Sequence, residues 1–202
     1  MEQNEVIINQ AISLFKDREK WSAFLELYHL KDKIRDVWFS QLDDRITQYF
    51  RKEGIVSGWD FKRINGNEVE YIWYLSDFGE QSIYLSWFHK MDLILAFDSE
   101  HYEKSIIDAL ISKEKKYATI YKSGFRNPVF DGLQKNDLVA EKGYLFFDSP
   151  MDGHFKDVED LAWYAGNMTI SYLQQITEKV DLFRKNKSIM TILADLNKQA
   201  RK

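Results

Sequence analysis

Residues 59–75 read WDFKRINGNEVEYIWYL, and the same alternation of bulky and polar side chains continues through IYLSWF at 83–88 and LILAF at 93–97. A period of two marks strands that bury one face and leave the other wetter. Four runs at about 59–64, 68–75, 82–88 and 92–98 therefore predict an antiparallel meander. Register follows from the side chains, because a slip of one residue sends every apolar group to the wrong face. A two-residue Asn-Gly turn would set Trp59 against Ile72 and split the large residues between faces. A three-residue loop of Asn65, Gly66 and Asn67 instead sets Trp59 against Trp73, Phe61 against Tyr71 and Arg63 against Val69. The same parity pairs Trp73 with Leu85, Tyr71 with Trp87, Leu85 with Leu93 and Ile83 with Leu95. The expected dry face is then Trp59, Phe61, Val69, Tyr71, Trp73, Leu75, Ile83, Leu85, Trp87, Leu93, Leu95 and Phe97.

Helical periodicity surrounds this meander. In the first quarter Val6, Ile7, Ala11, Ile12, Leu14 and Phe15, then Trp21, Phe24, Leu25 and Tyr28, then Ile34, Val37, Trp38, Leu42, Ile46, Tyr49 and Phe50 recur at helical spacing, and Gly54 ends the run. A further helix is expected from Asp98 and Ser99, with Glu100 and Glu103 in its first turn and Lys115 and Lys116 at its end. Strand candidates at Ala118–Lys122 and Gly143–Asp148 flank a turn-rich stretch containing Gly124, Pro128 and Gly132. One long helix is expected from about Lys156 to Lys185, and a shorter one at Ile189–Gln199. The predicted class is α+β: an antiparallel meander sheet of four to six strands packed on one face by amphipathic helices, with a helical N-terminus and a long C-terminal helix. With no repeat or linker visible, 1–202 reads as one domain: helical over 1–53, meander over 57–98, then a helix, two strands and the C-terminal helices over 99–202.

Composition narrows the function classes. Hydrophobic residues at 45% and charged residues at 30% suit a folded globular chain. No cysteine occurs among the 202 residues, so disulfides and thiolate metal sites are excluded and a reducing, cytoplasmic setting is expected. The longest apolar stretch, Leu93–Phe97, falls far short of the roughly 20 residues that cross a bilayer, so no membrane association is expected. A net charge of −4 draws the chain to no polyanion globally. The C-terminal stretch is nevertheless locally basic through Lys179, Arg184, Lys185, Lys187, Lys198, Arg201 and Lys202, which leaves nucleic acid open as a partner.

Candidate chemistry is sparse. Asp148, Asp152 and His154 are acceptable cation ligands, but the turn formers Pro150 and Gly153 and helix capping by Asp152 or Asp157 explain the same segment. Asp98, Glu100 and His101 invite an acid/base reading that helix capping also accounts for. Asp77-Phe78-Gly79 copies a kinase tripeptide without the nucleotide loop or catalytic loop, and reads as a hairpin turn. Asp60-Phe61-Lys62 resembles half of a (D/E)xK nuclease site, yet the upstream acids Asp43 and Asp44 fall on a predicted helix and not on a neighbouring strand. His29, His89, His101 and His154 have no ligand-like spacing, and no cofactor is expected.

The second sheet face holds Asp60, Lys62, Ile64, Glu68, Glu70, Ile72, Tyr74, Ser82, Tyr84, Ser86, Phe88, Ile94 and Ala96. Its mixed aromatic and polar character suits a protein partner, with Lys62, Glu70, Ile72, Tyr74, Tyr84 and Ser86 as the candidate contact set, unless the N-terminal helices cover it. The helix carrying Trp38, the Gly58-Trp59 strand start, Ile83-Tyr84-Leu85, the helix after Asp98-Ser99 and the helix with Trp163-Tyr164 together resemble the C-terminal, non-nuclease portion of bacterial PD-(D/E)xK nuclease-superfamily proteins associated with phage defence. The likeness spans about residues 20–185 and carries no catalytic residue to any position; it implies an accessory or recognition role. The leading expectation is a non-catalytic interaction module of a bacterial intracellular protein. The alternatives are a divergent metal-dependent nuclease or hydrolase using Asp60, Asp98 or Asp148, and a nucleic-acid accessory domain.

Overall fold

The computed structural model describes residues 2–66, 69–88, 94–97, 100–113, 145–146, 155 and 157–202. Helix α1 spans Glu2–Leu14 and α2 Arg18–Gln48, and a π-helical turn, Tyr49–Glu53, continues α2 to Gly54. Strands β1 (Trp59–Asn65), β2 (Val69–Leu75), β3 (Ile83–Phe88) and β4 (Ile94–Phe97) follow, then α3 (Lys104–Lys113), β5 (Leu145–Phe146), α4 (Val158–Asn167), α5 (Thr169–Arg184) and α6 (Lys187–Gln199). The five strands are antiparallel neighbours in chain order, β1 to β5, as a meander requires.

The predicted dry face is buried. Trp59, Tyr71, Trp73, Leu75, Ile83, Leu85, Trp87, Leu95 and Phe97 lie in one core with Phe61 and Val69 half-buried beside them, while Leu93 lies outside the described residues. Helices supply the facing layer. Phe50 sets its ring 4.8 Å from Trp73 and 5.3 Å from Phe61, and Tyr172 of α5 lies 6.0 Å from Trp87. Leu42 and Ile46 of α2 and Ile176, Val180, Phe183, Leu193 and Leu196 of the C-terminal helices close this layer. Asn197 adds a polar tie, its side-chain oxygen accepting from the Ile83 N–H at 2.9 Å.

Two pairings differ from expectation by two residues. Trp59 pairs with Leu75, Phe61 with Trp73 and Arg63 with Tyr71, so the connection is 66–68 and not 65–67. Across β3 and β4, Leu85 pairs with Leu95 and Ile83 with Phe97, whereas Tyr71–Trp87 and Trp73–Leu85 match the prediction. A shift of two leaves every side chain on its face, so side-chain parity cannot detect it. Asp77-Phe78-Gly79 is the expected turn: Phe78 and Gly79 both donate to the Leu75 carbonyl, and Gly79 takes φ +74°.

The helices also depart from the pattern. The long C-terminal helix is two helices, broken at Met168 (φ −119°, ψ 33°). Gly166 and Asn167 are poor helix formers, and the Thr169 hydroxyl donates back to the Ala165 carbonyl at 2.7 Å. Helix α3 starts at Lys104, after Glu100 and Glu103 and not with them. The backbone before it is spent on the C-terminus: Tyr102 bridges to Arg201, Glu103 N–H donates to the Ala200 carbonyl and Lys202 N–H to that of His101. The Gly143–Asp148 candidate is confined to Leu145–Phe146 where described, and the Ala118–Lys122 candidate lies outside the described residues.

Helices α2 and α4 touch where Trp38 covers Gly166. A Cβ on Gly166 would stand 2.4 Å from the indole, so only glycine permits this approach. Gly166→Ala is therefore expected to destabilise the fold by about 1–3 kcal/mol through overpacking, seen as a lower urea midpoint with an unchanged slope.

Candidate functional site

The six candidate side chains on the second sheet face do share one side of the sheet. Lys62 pairs with Ile72 and Ile72 with Ser86, Tyr74 pairs with Tyr84, and Glu70 accepts a hydrogen bond from the Ser86 hydroxyl. Lys62, which the predicted register would set beside Glu70, is opposite Ile72, and it reaches Glu80 in the β2–β3 turn as an ion pair. The centre of this face is closed. Ile72, Tyr84 and Ala96 form a second buried apolar cluster with Ile64 and Tyr74 against it, and Ser82 and Ser86 are buried too. The expected open surface is thus reduced to the margin formed by Lys62, Glu70 and Tyr74. Partial burial and the nearby Asp60 and Glu80 charges raise the Tyr74 phenol above its ordinary range, which keeps it a neutral hydrogen-bonding group.

Among the described residues the candidate acids Asp60 and Asp43 do not converge. Asp60 lies on the second face, whereas Asp43 lies beneath the first, so the sheet separates the half-motif from the upstream acid. Among the described residues no group of three histidine, aspartate or glutamate side chains is placed to hold a metal. Asp98, Asp148, Asp152 and His154, with His89, lie outside the described residues. His29 is exposed, His101 is half-buried and Glu100 is exposed beside it.

The basic C-terminal stretch is partly neutralised. Arg184 is buried, donates to the Gly54 carbonyl at 2.8 Å, pairs with Asp181 and sets its guanidinium 4.8 Å above the Phe50 ring. Lys185 shares the same carboxylate at 2.8 Å. Lys187, Lys198, Arg201 and Lys202 are exposed.

One polar constellation was missed by reading the sequence. Asp43, on the apolar stripe of α2, accepts a hydrogen bond from the Tyr71 hydroxyl and lies 3.4 Å from the Arg63 guanidinium, which also reaches Asp44 at 3.7 Å. The available signal was a carboxylate next to Leu42 and three before Ile46, together with an arginine at an inward position of β1. Burial, then the Asp43 charge, raises the Tyr71 phenol far above its ordinary value, and burial raises Tyr172 likewise. Asp43 and Tyr71 are closed to solvent, so the set joins α2 to the sheet and offers a substrate no approach. A groove of about 820 Å³ runs nearby between α2 and the α4–α5 junction, lined by Gln41, Asp44, Arg45, Asn167, Thr169 and Leu173 among others. It holds one carboxylate and one guanidinium, without a histidine or a second acid.

Replacing Asp43 by Ala leaves Arg63 and Tyr71 without their shared acceptor and is expected to cost about 3–5 kcal/mol by urea denaturation. The two phenols predict an alkaline limit. They stay neutral in the fold, whereas the unfolded chain ionises near pH ~10; the unfolded state then binds fewer protons, so stability holds below that value and falls above it. Thermal melts from pH 8 to 11.5 should show this fall, and Tyr172→Phe should make it shallower. Comparison of the chain with family models, with curated proteins and with solved structures finds no match.

Proposed function

We propose that this chain is a non-catalytic protein-interaction module whose main contact surface is its N-terminal pair of helices. The observation that carries this reading is their exposure. Val6, Ile7, Ile8, Ile12 and Leu14 of α1, and Trp21, Phe24, Leu27, Tyr28, Leu30 and Val37 of α2, are each between 40% and 64% exposed. Scattered exposed apolar groups are ordinary, but eleven of them along two consecutive helices, eight lying to one side of their own helix, are a concentration of the kind that marks an interaction site. Aromatic residues dominate its centre: Phe15, Trp21, Phe24 and Tyr28 follow one another with ring centroids 4.7–6.3 Å apart. Tryptophan and tyrosine supply large contact area at low entropic cost, as at binding hot spots.

The margin of the second sheet face, with Lys62, Glu70 and Tyr74, is a smaller candidate surface in the same reading. The resemblance to nuclease-associated regions is in keeping with such a role, that of an accessory or recognition part in a bacterial cytoplasmic assembly.

A photo-crosslinking residue placed at Tyr28, in cells, is expected to yield covalent adducts to protein, while the same residue at Tyr74 yields fewer. Absence of adducts at both positions would remove the interaction reading. Saturable binding of magnesium, manganese or zinc in calorimetric titration, abolished by Asp148→Ala or Asp98→Ala, would replace it with the metal-dependent hydrolase.

A further inference from the structure

Helix α1 poses a physical problem that a partner solves. It has 13 residues, a length at which an isolated helix is marginal in water, and of its described side chains only Ala11 is even half-buried. Its apolar groups therefore contribute almost nothing to holding it within this chain. Helix α2 has the same excess at its start. The stripe that packs Leu42 and Trp38 into the domain runs on through Arg35 and Lys31, which grip Glu159 at the start of α4, and then past α4 to Tyr28, Phe24 and Trp21. The apolar stripe outlasts the domain that uses it.

We infer that a second copy of this chain covers these helices in a two-fold dimer; the inference rests on the interaction reading above and names its partner. Area is the first argument. Leaving aside Val6, Leu30 and Val37, which point to the opposite sides of their helices, the remaining eight side chains present on the order of 700 Å² of surface, about what each partner contributes to a standard interface. A two-fold axis brings the same patch on both copies into contact, so no second kind of surface is needed.

Charge then selects the direction. The first 15 residues hold two acids, Glu2 and Glu5, and no lysine or arginine, whereas Lys16, Arg18 and Lys20 place three bases in the next five. Asp17, one of the two acids interspersed among them, is occupied in accepting the Glu19 N–H at 2.8 Å. A parallel pairing sets Glu5 on Glu5 and lysine on lysine. An antiparallel pairing sets α1 of one copy along the start of α2 of the other, with Glu5 facing Lys20.

The test is the solution mass of the full chain by sedimentation equilibrium at about 100 µM, above the micromolar dissociation constant that an interface of this size reaches even at its weakest. Twice the chain mass is expected. Ile8→Asp with Ile12→Asp, both at exposed positions remote from the core, should weaken the dimer at least tenfold and leave the near-UV circular dichroism of the buried tryptophans unchanged. Glu5→Lys should weaken it several-fold, and adding Lys20→Glu in the same chain should restore it. A wild-type monomer at this concentration, or a dimer indifferent to the isoleucine substitutions, overturns the inference; failure of Lys20→Glu to restore overturns the antiparallel pairing. A monomer that still forms crosslinks from Tyr28 to a different protein would overturn the self-association alone and leave the interaction reading standing.

Discussion

The contact on which the rest of the structure depends is the aromatic layer between the sheet and the helices. Trp59, Trp73 and Trp87 stand on three adjacent strands and point to one side, and Tyr71 stacks on Trp87 at 5.5 Å. Aromatic side chains of this size each bury about 150–250 Å², so a layer of them is a dominant source of apolar burial in a domain this small. Each helix is placed by what it brings to that layer: α2 through Leu42 and Ile46, the π-helical turn through Phe50, and α5 through Tyr172. The indole N–H groups of Trp59 and Trp73 are buried without an acceptor among the described residues, so this layer holds by area and shape and not by polar bonds.

At the rim of the layer, polar groups determine how the helices sit. Asp43 meets Tyr71 and Arg63 from the facing strands, and Arg184 meets the Gly54 carbonyl at the end of the π-helical turn. Apolar contacts tolerate sliding; a buried carboxylate or guanidinium does not, because a shift by one helical turn would leave it without its partner. The π-helical turn fits this picture. It carries Phe50 over Trp73 and at the same time ends α2 where Arg184 can donate to the Gly54 carbonyl.

The two surfaces considered for binding differ in how far the chain itself uses them. The second sheet face is half-polar by pattern, but Ile72, Tyr84 and Ala96 are buried at its centre. The N-terminal helices show the opposite case. Their side chains follow the spacing of a core-facing stripe, and yet the described chain leaves them exposed. A helical stripe with ample apolar area and no partner among the described residues is what supports the proposed interaction.

Reading the chain alone determined which residues of the meander share its first face, where the four described strands of the meander lie to within a few positions, and that Asp77-Phe78-Gly79 is a turn. These are consequences of a period of two, which is written along the chain. Other features were decided only by tertiary structure, each for a physical reason. The two-residue shifts in the β1–β2 and β3–β4 pairings leave parity unchanged, so facing partners and turn geometry choose between them. The break at Met168 goes with the Thr169 hydroxyl turning back to the Ala165 carbonyl, and the late start of α3 with the C-terminus bonding with residues 101–103. The burial of Arg184 and Asp43 depends on partners more than 20 residues away, Gly54 and Tyr71, and no periodicity carries that information.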